Sequence, residues 1–119
     1  MKHLRICTKD GVSLASRVSV ASTFRARVVG LLSRSWLDDE EGLWLEPGGS
    51  VHTLGMRFAI DVLFLGSDLK VLKVAPRLGP GRLALAPRGT HYVLELPADQ
   101  ARRRGVSVGM ELVAGGVRC

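Results

Sequence analysis

The sequence predicts an α+β domain, mostly β, with short strands forming a curled or barrel-like antiparallel sheet. Three observations predict it. Apolar residues alternate in many short runs, Gly and Pro punctuate those runs, and only one stretch carries a clear helical stripe.

His3-Leu4-Arg5-Ile6-Cys7 alternates, placing Leu4 and Ile6 on one face. Asp10-Gly11 follows, a hairpin signal because its turn residues need positive φ. Beyond it Val12, Leu14, Val18 and Val20 share one face while Ser13, Arg17 and Ser19 share the other. Ser22 or Thr23 is placed to cap an amphipathic helix over about 22–33. Its stripe is Phe24, Val28, Leu31 and Leu32, with Arg25, Arg27 and Arg34 turned away. An acidic turn, Asp38-Asp39-Glu40-Glu41-Gly42, leads to a brief strand at Leu43-Trp44-Leu45 that stops at Glu46-Pro47-Gly48-Gly49.

Ile60 to Leu65 and Leu69 to Ala75 are apolar on both faces, as in central strands, and Gly66-Ser67-Asp68 joins them as a hairpin. Leu83 to Ala86 forms another strand between Pro-Gly turns. His91 to Leu96 alternates, with Tyr92, Leu94 and Leu96 inward and His91 and Glu95 outward. A short helix runs over about 98–104, entered after Pro97 and closed by Gly105. Val106, Val108, Met110 and Leu112 alternate in a last strand.

The length of 119 residues suits a single domain, 1–119, with one core. A hydrophobic fraction of 46% and a charged fraction of 24% are those of an ordinary globular chain. The longest apolar run, Phe58 to Leu65, is broken by Asp61 and far too short to span a membrane. With no secretory leader and only two cysteines, the expected compartment is the cytoplasm, where Cys7 and Cys119 would remain reduced thiols.

The pieces Arg27-Val28-Val29-Gly30-Leu31-Leu32, Gly42-Leu43-Trp44-Leu45, His52-Thr53-Leu54-Gly55-Met56-Arg57-Phe58-Ala59-Ile60-Asp61-Val62-Leu63-Phe64-Leu65, Val93-Leu94-Glu95-Leu96-Pro97 and Gly105-Val106-Ser107-Val108-Gly109-Met110 resemble the domain-of-unknown-function-192 family of bacterial-type small proteins. Met56 and Asp61 stand at the family's spacing. Many relatives carry a Trp-Met-Lys-Asn-Thr-like string where this chain has its His-Thr form, and Gly-Asp where it has Gly109-Met110. The resemblance implies a small curled β fold and no particular activity. That some relatives sit near pilus or secretion genes is an association only.

No motif supports an assigned catalytic residue, metal site or cofactor, and enzyme is the minority reading. Asp61, at the start of an apolar strand, is either a general base or ligand contact, or a structural carboxylate bonded to loop N–H groups or to Arg57. The structural role is the expected one. His52 and Met56 are a soft-metal pair in type, but four residues along a strand separates them by about 13 Å. His91 and Glu95 have the same separation, so a metal-binding or hydrolytic site built on His52, Asp61 and His91 would need the fold to assemble it.

The net charge of +6 admits nucleic acid or another anionic partner on an arginine-rich surface. The densest cluster, Arg102-Arg103-Arg104, is also what the end of a helix favours, and six aromatics give no stacking platform. The preferred reading is a non-catalytic accessory or binding module for a small ligand or peptide. Its site would be a cleft beside segment 52–61, using His52, Thr53, Met56, Arg57, Asp61 and Trp44.

Overall fold

The computed structural model describes residues 3–21 and 34–115. Among them lie nine strands and one short helix: β1 (His3–Thr8), β2 (Ser13–Ala21), β3 (Glu41–Leu45), β4 (Val51–His52), β5 (Ile60–Leu65), β6 (Val71–Leu78), β7 (Leu83–Ala84), β8 (Tyr92–Pro97), α1 (Gln100–Arg103) and β9 (Leu112–Gly115). The amphipathic helix expected over 22–33 falls outside the described residues.

Seven strands form one sheet in the order β6-β5-β8-β3-β2-β1-β9, and β4 pairs with β7 in a separate ribbon. The sheet curls until its two ends meet. The Val71 N–H donates to the Met110 carbonyl at 2.8 Å, the Gly109 N–H to the Val71 carbonyl at 2.8 Å, and the Leu112 N–H to the Leu69 carbonyl at 3.0 Å. The concave side holds one core cluster that includes Ile6, Leu14, Val18, Trp44, Leu63, Leu94 and Leu96, with Ala101 of α1. The opposite face carries a second cluster, including Leu43, Leu45, Met56, Val62, Phe64 and Val93, on which the ribbon sits through Val51 and Ala84.

The mostly β, curled sheet agrees with the sequence, with one change of sense. β2 and β3 are parallel, Arg17 opposite Glu41 through Ala21 opposite Leu45. Parallel neighbours cannot be joined by a tight hairpin turn.

Several boundaries differ for local reasons. In the first hairpin only Gly11 takes positive φ, and the Thr8 N–H donates to the Val12 carbonyl at 2.9 Å. This turn needs one left-handed residue rather than two. Register shifts in the β1–β2 ladder break the even alternation, so Leu14 and Ala15 are both buried and Val12 is exposed. β5 is buried at every position as expected, but β6 is outermost in the strand order and partly exposed. Residues 106–110 hold a turn at 108–109 and no strand; strand structure resumes at Leu112.

Pro97 ends β8 and the left-handed Asp99 (φ 73) turns the chain into α1, which is shorter than expected. Glu95 is fully buried, because β8 lies between β5 and β3 and both of its faces are covered. The outward placement expected for Glu95 therefore fails; His91 is exposed. Cys7, buried in β1, is disulfide-bonded, which corrects the expectation of a reduced thiol there. Cys119 lies outside the described residues.

Candidate functional site

Asp61 is the second residue of the buried strand β5, directly opposite Leu96 and on the face that holds the concave cluster. It is 0% exposed, and both carboxylate oxygens accept from backbone. Oδ1 takes the N–H of Arg77 at 2.9 Å and of Asp99 at 3.1 Å, and Oδ2 takes the N–H of Ala101 at 2.9 Å. Two of these donors sit where the chain turns through positive φ, at Arg77 (φ 50) and Asp99 (φ 73). The carboxylate thus joins the end of β6 to the start of α1. Its partners are backbone N–H groups, the first of the two structural options, and not the Arg57 of the second.

Thr53 does comparable work on the ribbon. Its hydroxyl donates to the Gly79 carbonyl at 2.6 Å and accepts from the Arg82 N–H at 2.8 Å. Its own N–H donates to the Arg82 carbonyl at 2.9 Å, and its carbonyl accepts from Gly81 and Met56. Segment 53–56 is consequently a turn stapled to loop 79–82, not the extended strand that would hold His52 and Met56 apart. Met56 nevertheless turns into the second core cluster, while His52 stands half-buried on the ribbon.

Trp44 is a core residue. It is buried against the concave cluster, its ring centroid 5.0 Å from that of Tyr92, and His91 meets Tyr92 edge-on at 5.1 Å. Asp61, Thr53, Met56 and Trp44 are therefore occupied in scaffolding, and His52, Asp61 and His91 stand on the ribbon, beside α1 and at the exposed start of β8. Among the described residues, no three His, Cys, Asp or Glu side chains gather where one metal ion would bind. Arg57 is exposed and carries no ion pair with another described residue.

The acidic turn before β3 organises the arginines. Asp38 pairs with Arg17 at 3.2 Å, Asp39 with Arg103 at 3.1 Å, Glu40 with Arg104 at 3.3 Å, and Glu41 with Arg34 at 2.5 Å. Gln100, fully buried, completes the junction. Its Nε2 donates to the Leu14 carbonyl at 3.0 Å and the Asp39 carbonyl at 2.7 Å, and its Oε1 accepts from Arg103. Two members of the Arg102–Arg104 cluster thus close the fold. Sequence reasoning missed Gln100 because a lone glutamine in a basic helix carries no pattern.

The forked hydrogen bonds from Arg34 hold the Glu41 carboxyl below its ordinary value of 4.5, and the Asp38 N–H adds to the effect while burial opposes it. A carboxyl with a lowered folded value contributes stability that is fully present above the unfolded value and lost as pH falls through the folded one. Urea denaturation should therefore show stability declining from about pH 4.5 downward. Glu41→Gln should remove roughly 1 kcal/mol of that slope, the worth of a half-exposed forked pair. An unchanged acid limb in the variant would refute the assignment.

A family model, the domain-of-unknown-function-192 family, described as an uncharacterized ACR, matches residues 5–114. The chain belongs to this family. UPF0127 protein PF1050 of Pyrococcus furiosus is 33% identical over 105 residues, covering 86% of this chain and 90% of its own. Among solved structures, a Novosphingobium aromaticivorans protein of unknown function superposes with a TM-score of 0.79 at 24% identity, covering 93% of this chain and 83% of its own. A Sinorhizobium meliloti protein named a "putative transcription regulator" superposes with a TM-score of 0.78 at 23% identity, covering 97% and 94%. Both structures share the curled fold of this domain-of-unknown-function-192 chain, and at such identities the likeness concerns fold alone.

Proposed function

We propose that the chain is a non-catalytic accessory or binding module whose contact surface lies beside segment 52–61. One observation carries this reading. The groups there with reactive chemistry are committed to the scaffold, Asp61 through three backbone N–H groups and Thr53 through its hydroxyl, whereas Leu54 and Arg57 are left exposed. Rigid strands presenting contact residues on a stapled turn suit binding better than turnover.

The test is a screen of amide shifts in the labelled protein against small molecules and short peptides. Changes clustered at residues 52–57 are expected. Changes confined to the chain ends, or none anywhere, would count against a binding role for this segment.

The alternative, nucleic acid or another anionic partner on the arginine-rich surface, draws on the exposed Arg57, Arg82 and Arg88 and on the name of the Sinorhizobium protein. It is weakened where it was strongest, since Arg103 and Arg104 are paired to the acidic turn. No helix among the described residues is long and apolar enough to cross a membrane. The expectation of reduced thiols followed from a cytoplasmic placement, and the Cys7 disulfide favours an oxidising compartment instead.

A further inference from the structure

We propose that the outer face of the β4–β7 ribbon is a docking surface for an anionic lipid bilayer. The inference rests on the reading of this segment as a binding face and names the partner. In the ribbon Val51 lies opposite Ala84 and His52 opposite Leu83. Val51 and Ala84 are buried in the second core cluster, so alternation sends His52, Leu83 and Leu85 to the far side. Leu54 follows Thr53 in the stapled turn at the same end of the ribbon. Leu54, Leu83 and Leu85 are 61%, 62% and 62% exposed.

Single exposed leucines are ordinary; three on one small ribbon are not scatter. The Leu83-Ala84-Leu85-Ala86 run puts the smaller side chain of its paired stretch inward and the large ones outward, the reverse of a pattern serving this chain's own core. Such exposure means that the leucines protrude and do not line a groove. An occupant must therefore mould around them.

Charge narrows the occupant further. Between residues 47 and 92 the chain carries six basic residues (Arg57, Lys70, Lys73, Arg77, Arg82 and Arg88) against two acidic ones, Asp61 and Asp68. Asp61 is buried, and Asp68 accepts the N–H of Lys70 in the β5–β6 turn. Arg57, Arg82 and Arg88 are exposed and pair with no carboxylate among the described residues, unlike the arginines held by the acidic turn. Lys73 ties the ribbon to β6 by donating to the Leu85 carbonyl at 2.9 Å, which fixes the leucines' presentation. Protruding leucines with unpaired arginines close in sequence, Arg82 next to Leu83 and Arg57 three residues after Leu54, match the boundary between acyl chains and anionic headgroups. Nucleic acid would use the arginines and leave the leucines without a role.

Flotation of the full chain with vesicles tests the proposal, comparing phosphatidylcholine alone with an equal mixture of phosphatidylcholine and phosphatidylglycerol. Binding to the mixture alone is expected. A variant carrying Leu54→Ser, Leu83→Ser and Leu85→Ser should bind at least about tenfold more weakly with its melting temperature little changed, because most of each removed side chain was already in water. Arg57→Gln and Arg82→Gln should each weaken binding about fivefold, the effect of one basic residue near an anionic surface. Three results overturn it: no binding to the mixed vesicles at low salt, full binding by the leucine variant, or equal capture of a single-stranded oligonucleotide that the leucine variant retains. If vesicles are not bound while small molecules or peptides still shift the amides of residues 52–57, the lipid inference falls and the binding-face reading survives. If neither occurs, both fall.

Discussion

Asp61→Ala should cost this protein about 4 kcal/mol of folding stability, from one buried and two part-buried N–H groups that each cost roughly 1–3 kcal/mol when left unsatisfied. That is a large part of the 5–15 kcal/mol typical of a domain. The donors belong to Arg77, Asp99 and Ala101, so the loss uncouples the end of β6 from the start of α1. Asp61→Asn distinguishes a carboxylate used as scaffolding from one used as a base. Its remaining carbonyl oxygen suffices for Arg77 and Asp99, both of which bond Oδ1, while its amide turns N–H groups toward the Ala101 N–H. A cost of about 2 kcal/mol follows, with loss of hydrogen-exchange protection concentrated at Ala101. Urea denaturation and amide exchange read both effects. If Asp61→Ala melts within about 1 kcal/mol of the parent and the three amides stay protected, the carboxylate is not what holds this corner.

How far this architecture was legible follows from what each element depends on. The β1–β2 and β5–β6 hairpins are local: Gly11 and the Gly66–Lys70 turn set them, so short-range pattern suffices. Asp61 was recognisable because a charge inside an apolar run demands partners, and the structural reading offered either loop backbone donors or Arg57. Which donors they would be was not readable, since Arg77, Asp99 and Ala101 are brought to it by tertiary folding. Glu95 was misread for a related reason. Alternation shows which residues share a face, but not whether the second face is covered, and β8 has neighbours on both edges and core on both sides. The ribbon was half visible. Leu83 to Ala86 reads as a strand, yet nothing local says that its alanine is the inward residue or that a two-residue partner lies at Val51–His52.

The same dependence on tertiary context decides what the Glu46–Gly49 loop will tolerate. A Cβ at Gly48 would stand 2.6 Å from the carbonyl carbon of Tyr92, 2.8 Å from its Cα and 2.9 Å from the nitrogen of Val93. All three are backbone atoms of a strand paired on both sides, so no side chain is available to swing away. The loop itself must move. Doing so breaks the 2.8 Å hydrogen bond from the Gly48 N–H to the His91 carbonyl, the bond that holds the loop against the start of β8. Gly48→Ala should therefore destabilise the fold by about 3 kcal/mol, the upper end for overpacking a well-filled site. Because Tyr92 carries the ring that meets Trp44 at 5.0 Å, the native-state tryptophan emission should shift as well. Gly49, whose Cβ would meet nothing within 4 Å, provides the control. Gly49→Ala should leave stability within about 0.5 kcal/mol of the parent, as surface changes usually do. Equal stability of the two variants in parallel urea titrations would mean that the loop does not press on β8 as closely as these distances require.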